Sequence, residues 1–463
     1  MVALPFPAPH GLLHIRRPVR VRASSFMRPQ RQTDSAPNDS RWQWLLLLFW
    51  VFIEFVRPFD SFLKVLAPLR IAGLTSLALL FVFLLNKKRY LAEEPLGKLL
   101  IAFWLLASVS VLYAPNNRAA FNVANGLFWH YFAFVFPLCA VLSSRERVYK
   151  FFFFWVFVQT LLACFVATHH GTGPGGYLWD ENDVALVLVM AIPYTIYLAQ
   201  FPGIGKWAKL ALRGALVVML VGIGIGASRG AVVGLGVLTM VCILFSRRPL
   251  RNAVVVGSAV LIGLVALVKV LPPAYVEDMS GIGDPNDPTA DERLWLWSLG
   301  WVMYQDHPVF GVGAGNYPWT NHLYATRSPL YTPRRKIMGG RPAHSIYFTL
   351  LPELGTTGLL IFAAVVRILY NRYSTIRDYC KSKKELSDDD KKFQLLFIAM
   401  LTSCAGYLAA GAFITVLYYP PFWYLVGFVA ATFRVASREL PGFPRAVSRA
   451  PQDRQQGAAP RPA

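Results

Sequence analysis

The sequence predicts an all-α polytopic membrane protein with about twelve transmembrane helices and one long outer loop between helices 9 and 10. Two observations of composition and length support this prediction. Of the 463 residues, 55% are hydrophobic and only 15% are charged, whereas soluble proteins carry roughly a quarter charged residues. Long apolar runs also recur along the chain, and a transmembrane helix needs about 20 mostly apolar residues.

The apolar runs define a membrane domain over residues 42–436. Residues 1–41 are rich in arginine and proline, and residues 437–463 are rich in Pro, Arg and Gln. We therefore expect a disordered cytoplasmic arm at the N-terminus and a disordered cytoplasmic tail at the C-terminus. The predicted spans are 43–57, 66–85, 97–113, 121–143, 149–168, 184–200, 208–226, 230–246, 252–271, 344–370, 393–417 and 420–436.

Basic residues set the predicted orientation, because Lys and Arg concentrate in cytoplasmic loops. If the arginine-rich N-terminus is inside, every strongly basic gap between two spans is inside as well, and both termini are cytoplasmic. This pattern also explains the net charge of +21. Nucleic-acid binding is not expected, since the basic residues form no patch with interleaved aromatic residues. The basic gaps are NKKRY, SRERVYK, GKWAK, RRPLR and NRYSTIRDYCKSKKELSDDDKK.

The outer gap over residues 272–343 is far longer than the others. Its middle, 291–305, predicts a short helix in the membrane interface. The aromatic and aliphatic face of this helix is formed by Leu294, Trp297, Leu299 and Trp301. A loop of this length is either functional or disordered, and the aromatic content favours function. The GVGAGN stretch at 311–316 follows no strand, so its glycines are expected to form turns rather than a nucleotide site.

Neither a disulfide nor a metal site is expected. The five cysteines lack metal-ligand spacing, and none falls in a segment predicted to lie outside. Asp180, Asn182 and Asp183 in the WDEND stretch offer oxygen ligands, but this pattern is also ordinary helix N-capping.

Three outer residues are candidates for chemistry. Arg229 lies in a tight outer turn, GASRGAVVG, where a helix N-terminus and a guanidinium would together bind an anion. The alternative is an arginine that reaches lipid headgroup phosphates. Arg293 can bind an anion or pair with Asp291 or Glu292. His344 suits proton transfer at neutral pH, or it is a structural hydrogen-bonding residue at a helix start.

Two carboxylates, Glu54 and Glu353, fall inside predicted spans. Intramembrane carboxylates usually have a role. For Glu353 the sequence favours a structural partner, an arginine or a backbone N–H, over a catalytic role.

Four stretches resemble the O-antigen ligase family in their order, spacing and predicted outer placement, over roughly residues 175–420. The resemblance implies a bacterial inner-membrane enzyme that takes a glycan from a polyprenyl diphosphate carrier on the periplasmic side. It implies transfer to an acceptor hydroxyl, on a lipid A core or a similar glycan or glycolipid, with no cofactor, nucleotide sugar or obligatory metal. The stretches are ENDVAL, SRGAVVGLG, ERLWLWSLGWVMYQDHPVFGVGAGNY and AHSIYFTLLPELGTTGLL.

The resemblance also implies roles for individual residues. Arg229 and Arg293 would hold the diphosphate and stabilise the leaving group, and His344 would be the general base. Arg341, Glu353 and Asp183 would support them. The sequence departs from the family at Ala-His-Ser, where the family often has His-Asn, which affects positioning but keeps the base.

Two alternatives remain open at this stage. A polymerase that extends the lipid-linked glycan would use a similar donor, although the single very long loop favours a ligase. A small-anion transporter would need ionisable groups near the bilayer midplane in broken helices, whereas these candidates cluster at one interface. The sequence does not predict the oligomeric state.

Overall fold

A computed structural model of the protein describes residues 41–85, 94–226, 228–246, 249–251, 288–333, 335, 337 and 339–444. Within these ranges the regular secondary structure is entirely helical, as the all-α prediction requires. The α-helices are α1 (Arg41–Val56), α2 (Pro58–Ser61), α3 (Ile71–Leu85), α4 (Pro95–Ser110), α5 (Asn117–His130), α6 (Phe136–Val141), α7 (Arg145–Thr168), α8 (Glu181–Leu198), α9 (Lys206–Ile225), α10 (Arg229–Leu244), α11 (Pro288–Asp306), α12 (Tyr317–Thr320), α13 (Tyr347–Ser382), α14 (Asp388–Ala410) and α15 (Pro420–Glu439).

Six helical segments in the described part of the chain are long and apolar enough to cross a membrane, and three shorter helices are apolar. They indicate an integral membrane protein. The ninth predicted span, 252–271, lies outside the described residues, as do 1–40, 272–287 and 445–463. The count of twelve spans therefore stays a prediction. The six segments are Asn117–Val141, Arg145–Thr168, Glu181–Leu198, Lys206–Ile225, Tyr347–Ser382 and Asp388–Phe413.

The centre of the helix bundle is formed by α8, α14 and α15, each of which buries more than half of its residues. Small residues let α10 approach α14 closely. A Cβ added at Gly234 would lie 2.9 Å from the Cβ of Ala410 and 3.1 Å from the carbonyl oxygen of Gly406. Backbones this close need glycine at the contact, so these glycines fix the position of α10 and of the Arg229 turn at its start.

Two predicted boundaries differ from the structure. The tenth span was expected to begin at His344, but α13 begins at Tyr347, and Gly355 interrupts it with a φ of 62°. The tail was expected from residue 437, but α15 continues to Glu439, and Leu440 and Phe443 are buried. Phe443 packs edge-on against Tyr379 of α13, so the packed chain extends beyond the predicted edge.

The helix predicted at 291–305 is present as α11. Its apolar side chains divide into two groups. Trp295, Leu296 and Leu299 are buried in a small cluster with Ala325, whereas Leu294 and Trp301 are about half exposed. The helix therefore packs against the rest of the protein with one apolar side and leaves Leu294 and Trp301 exposed on another.

Candidate functional site

His344 lies just outside α13, in the segment that enters the helix. Its backbone is left-handed, with a φ of 49°, a conformation that non-glycine residues adopt rarely and that often marks functional sites. Its backbone N–H donates to Oγ1 of Thr415 at 2.8 Å. The side chain is half-buried, so the backbone at His344 is held in place while the imidazole remains partly accessible.

Helix α11 is attached directly to the segment that carries His344. The indole Nε1 of Trp297 donates to the carbonyl oxygen of Ala343 at 2.9 Å. The Trp297 ring also stacks on Phe348, with ring centroids 5.2 Å apart. Arg293 lies one helical turn before Trp297, on the same side of α11. The Trp297 contacts therefore bring Arg293 to the His344 region.

The alternative partners of Arg293 are bonded to other residues. Asp291 accepts two hydrogen bonds from Nη2 of Arg335, at 2.6 and 2.8 Å. Glu292 pairs with Arg341, with 3.4 Å between Nε and Oε1. The two carboxylates beside Arg293 are thus each paired with an arginine from the end of the long loop.

The short segment between α14 and α15 joins the Arg229 turn to His344. Ile414 lies against Gly230, where an added Cβ would be 3.3 Å from the Ile414 side chain. The next residue, Thr415, accepts the hydrogen bond from His344. The N–H of Ile346 donates to the carbonyl oxygen of Gly411 at 2.7 Å. The start of α10 and the start of α13 are thus fixed on the same short segment.

Arg229 is the first residue of α10, as the sequence predicted. Ser228 is the N-cap, and its Oγ accepts from the N–H of Ala231 at 3.2 Å. Arg229 is half-buried. A capped helix N-terminus with a guanidinium at its first position is a suitable anion site.

Four charged groups act on the His344 imidazole. Burial lowers its pKa, and the guanidinium groups of Arg293 and Arg341 lower it further, while the carboxylates of Glu292 and Asp180 oppose them. These groups come from three separate parts of the chain. The direction of the pKa shift keeps the imidazole neutral, which is the form that accepts a proton.

The WDEND stretch forms a helix cap, the second of the two interpretations that the sequence left open. Asp180 is the N-cap of α8, and its Oδ1 accepts from the N–H of Asn182 at 2.8 Å. The hydroxyl of Tyr419 hydrogen-bonds to Asp183. Among the described residues no group of His, Cys, Asp and Glu is arranged to hold a metal ion.

Glu353 is bonded by backbone N–H groups, as the sequence favoured. Its side chain is 1% exposed. The carboxylate accepts from the N–H of Gly315 at 2.7 Å, from the N–H of Tyr317 at 2.9 Å and from the hydroxyl of Tyr418 at 2.7 Å. The other intramembrane carboxylate, Glu54, accepts from the hydroxyl of Tyr424 at 3.1 Å.

Comparison with protein families finds a match that includes these residues. Residues 214–363 match the family model described as Wzy_C, O-Antigen ligase. This stretch is similar to O-antigen ligase domains. No curated protein matches the chain. The domain contains Arg229, Arg293, Arg341, His344 and Glu353, and its presence supports a general role in glycan transfer related to lipopolysaccharide.

Some contacts of the candidate site were not foreseen from the sequence. Thr415 lies outside the matched stretch and in no motif, so only the folded chain shows that it holds His344. Trp297 was assigned to an interfacial face and instead donates to Ala343. The sequence does point to Asp180, because it lies in a predicted outer segment close to the candidate Asp183. Its effect on the pKa of His344, however, depends on packing between distant segments.

Proposed function

We propose that the protein transfers a glycan from a polyprenyl diphosphate carrier to an acceptor hydroxyl, by a single displacement that inverts the anomeric centre. The observation that best supports this function is the attachment of α11 to the segment that carries His344. His344 lies close to Arg293 and Arg341 at the entrance to α13. An inverting transfer from a diphosphate requires a base and cations in one place.

The arginines would act on the diphosphate. Guanidinium groups bind phosphate oxygens through two parallel hydrogen bonds and stay charged at any physiological pH. Arg229 begins α10, which contacts Ile414 beside the Thr415 partner of His344, and Arg293 lies on α11, which Trp297 joins to Ala343. In this proposal they orient the donor and stabilise the negative charge that develops on the departing polyprenyl diphosphate.

His344 would act on the acceptor. Its neutral imidazole accepts the proton of the acceptor hydroxyl while the oxygen forms a bond to the anomeric carbon. The bond between that carbon and the diphosphate oxygen breaks, and its electron pair leaves with the polyprenyl diphosphate. The proton ends on His344, so no cofactor, nucleotide or metal ion enters this scheme.

The broken helix α13 is the feature that a transporter would share. Its break is occupied by the backbone of residues 309–313 and not by an open cavity, since added Cβ atoms at Gly311 and Gly355 would lie within 2.6 Å of the opposing backbone. This observation favours glycan transfer over anion transport.

We assign the site to the periplasmic face of the bacterial inner membrane, with both termini cytoplasmic. The assignment is supported by the distribution of basic segments along the sequence and by the O-antigen ligase domain. The acceptor would be a glycan or glycolipid such as a lipid A core. Extension of the lipid-linked glycan itself is the alternative, since a polymerase would use the same donor.

Reconstitution tests the proposal. The purified protein is placed in vesicles with polyprenyl-diphosphate glycan and a lipid A core acceptor, and the products are separated on a gel. A single new band on the core acceptor supports a ligase, and a ladder on the carrier itself would show a polymerase. Absence of both products from the folded wild-type protein would overturn the proposed function.

A further inference from the structure

Helix α13 is interrupted where another part of the chain enters it. Gly355 has a φ of 62° and a ψ of −163°, both far from helical values, between two helical segments. The interruption lies two residues after Glu353. A break inside a helix leaves backbone groups without their helical partners, and buried groups of this kind must be bonded elsewhere.

Residues 308–313 of the outer loop supply those partners. The N–H groups of Thr356 and Thr357 donate to the carbonyl oxygens of Pro308 and Val309, at 2.7 and 3.1 Å. In the opposite direction, the N–H groups of Val312 and Gly313 donate to the carbonyl oxygens of Pro352 and Glu353, at 2.8 and 2.9 Å. The loop therefore pairs with both sides of the broken helix.

Two glycines make this pairing possible. A Cβ at Gly311 would lie 2.3 Å from the carbonyl carbon of Glu353, and a Cβ at Gly355 would lie 2.5 Å from the carbonyl carbon of Val309. Both glycines have positive φ. Each glycine thus contacts the backbone of the opposite segment, and any side chain at either position would separate the two segments.

The Glu353 carboxylate completes the attachment. It accepts from Gly315 and Tyr317 of the loop through Oε2 and Oε1, and from Tyr418 in the segment before α15. Two oxygens thus receive three donors in a site that excludes solvent, and an amide at this position would face at least one of these donors with its own N–H groups.

The loop is attached on its other side as well. Ser110 Oγ, at the end of α4, accepts from the N–H of Ala314 at 3.0 Å. Asn316 and Asn116 exchange two hydrogen bonds, of 2.7 and 3.2 Å. These contacts attach residues 314–316 to the end of α4 and the start of α5.

The attached loop follows α11 directly, because Asp306 ends that helix and Pro308 begins the pairing. The position of α11, and with it Arg293, is therefore set at its C-terminal end by the loop and at its middle by Trp297. We propose that Glu353 is a positioning residue for glycan transfer: by locking residues 308–317 into the break in α13, it fixes Arg293 relative to His344. This inference rests on the proposed function.

Glu353→Gln tests the inference, with Asp390→Asn as the matched control. Asp390 is a second carboxylate at 1% exposure, bonded by Tyr379, Lys383 and the N–H of Ser387 on the predicted cytoplasmic side. In the reconstituted assay we expect Glu353→Gln to lower kcat by about tenfold to a hundredfold, since ångström-scale misplacement costs about a hundredfold. The KM for the donor should change much less. Asp390→Asn should lower the unfolding temperature and leave kcat unchanged.

Hydrogen exchange measures the attachment without reference to activity. Amides of residues 312–317 should exchange faster in Glu353→Gln than in the wild type, while those of 387–392 should not change. Tyr418→Phe removes one donor and keeps the two backbone donors, so it should fold even if Glu353→Gln does not. We expect a smaller loss of kcat in this variant.

Three results would overturn the inference. The first is that Glu353→Gln keeps the wild-type kcat although its amides at 312–317 exchange faster. The second is that kcat falls equally in Glu353→Gln and in the control Asp390→Asn. If His344→Ala keeps full transfer, the proposed function fails and the positioning role fails with it. The exchange data would still show whether Glu353 holds the loop, so the two failures are distinguishable.

Discussion

The indole of Trp297 donates a hydrogen bond of 2.9 Å to the carbonyl oxygen of Ala343, the residue that precedes His344. This bond joins α11 to the entrance of α13. Residues 46 positions apart in the sequence are thereby held in contact, and Arg293, one turn earlier on the same helix, is held with them.

Replacing Trp297 by Phe tests this contact. Phenylalanine retains an aromatic ring to stack on Phe348 but has no N–H to donate to Ala343. A typical hydrogen bond contributes about 0.5–1.5 kcal/mol, so we expect transfer to fall between about twofold and tenfold. Trp301→Phe is the control, since Trp301 is 47% exposed on the same helix. An equal effect of both substitutions would contradict a specific role for the bond.

Loss of the base should abolish transfer without loss of the fold. His344→Ala removes the imidazole but keeps the backbone N–H of residue 344, which donates to Thr415. We expect kcat to fall by roughly 10²- to 10⁴-fold, the usual contribution of a general base. Membrane insertion and the elution profile in detergent should match those of the wild type. A variant that is well folded and fully active would exclude His344 as the base.

The arginines should not be replaceable by lysine. Arg229→Lys and Arg293→Lys keep the charge but lose the planar pair of donors that binds a diphosphate. We expect each to lower kcat/KM by about tenfold, and the alanine variants to lower it by about a hundredfold or more. Arg367→Lys, at an exposed position on α13, serves as the control. If the lysine variants keep full activity, transfer requires only a positive charge at these positions and not bidentate binding of the diphosphate.

The pH dependence should report the groups around His344. Burial and the nearby Arg293 and Arg341 lower its pKa from the ordinary value of 6.5. A base acts in its neutral form, so the acid limb of kcat/KM should lie below that ordinary value. Arg341→Gln removes a positive neighbour and should move the limb to higher pH.

Glu292→Gln should move the limb in the opposite direction, because the Glu292 carboxylate raises the pKa of His344. The profiles of the two variants therefore bracket that of the wild type. Shifts of the same sign in both variants, or no shift in either, would mean that the limb belongs to another group.

The sequence was sufficient to locate most helices because apolar runs and basic gaps are local signals. It also placed Arg229 at the start of α10, since Ser228 is a strong N-cap residue. The sequence predicted a joint outer placement of Arg293 and His344, and the structure brings their segments into contact through Trp297.

The interruption of α13 could not be predicted in the same way. Pro352 and Gly355 are both compatible with a continuous helix that is merely kinked. The break exists because residues 308–313 provide hydrogen-bond partners for it, and this pairing joins segments about 40 residues apart in the sequence. For the same reason the sequence left the partner of Glu353 open between an arginine and a backbone N–H and did not predict its position.

The central claim is that this site breaks the bond between a glycan and its polyprenyl diphosphate carrier and joins the glycan to an acceptor. The most direct measurement follows both products in one reaction with purified wild type and His344→Ala, in the presence of a metal chelator. The account predicts that the wild type releases one polyprenyl diphosphate for each glycan transferred and that His344→Ala forms neither product. Equal amounts of both products from the two proteins, or transfer by the wild type without release of polyprenyl diphosphate, would contradict it.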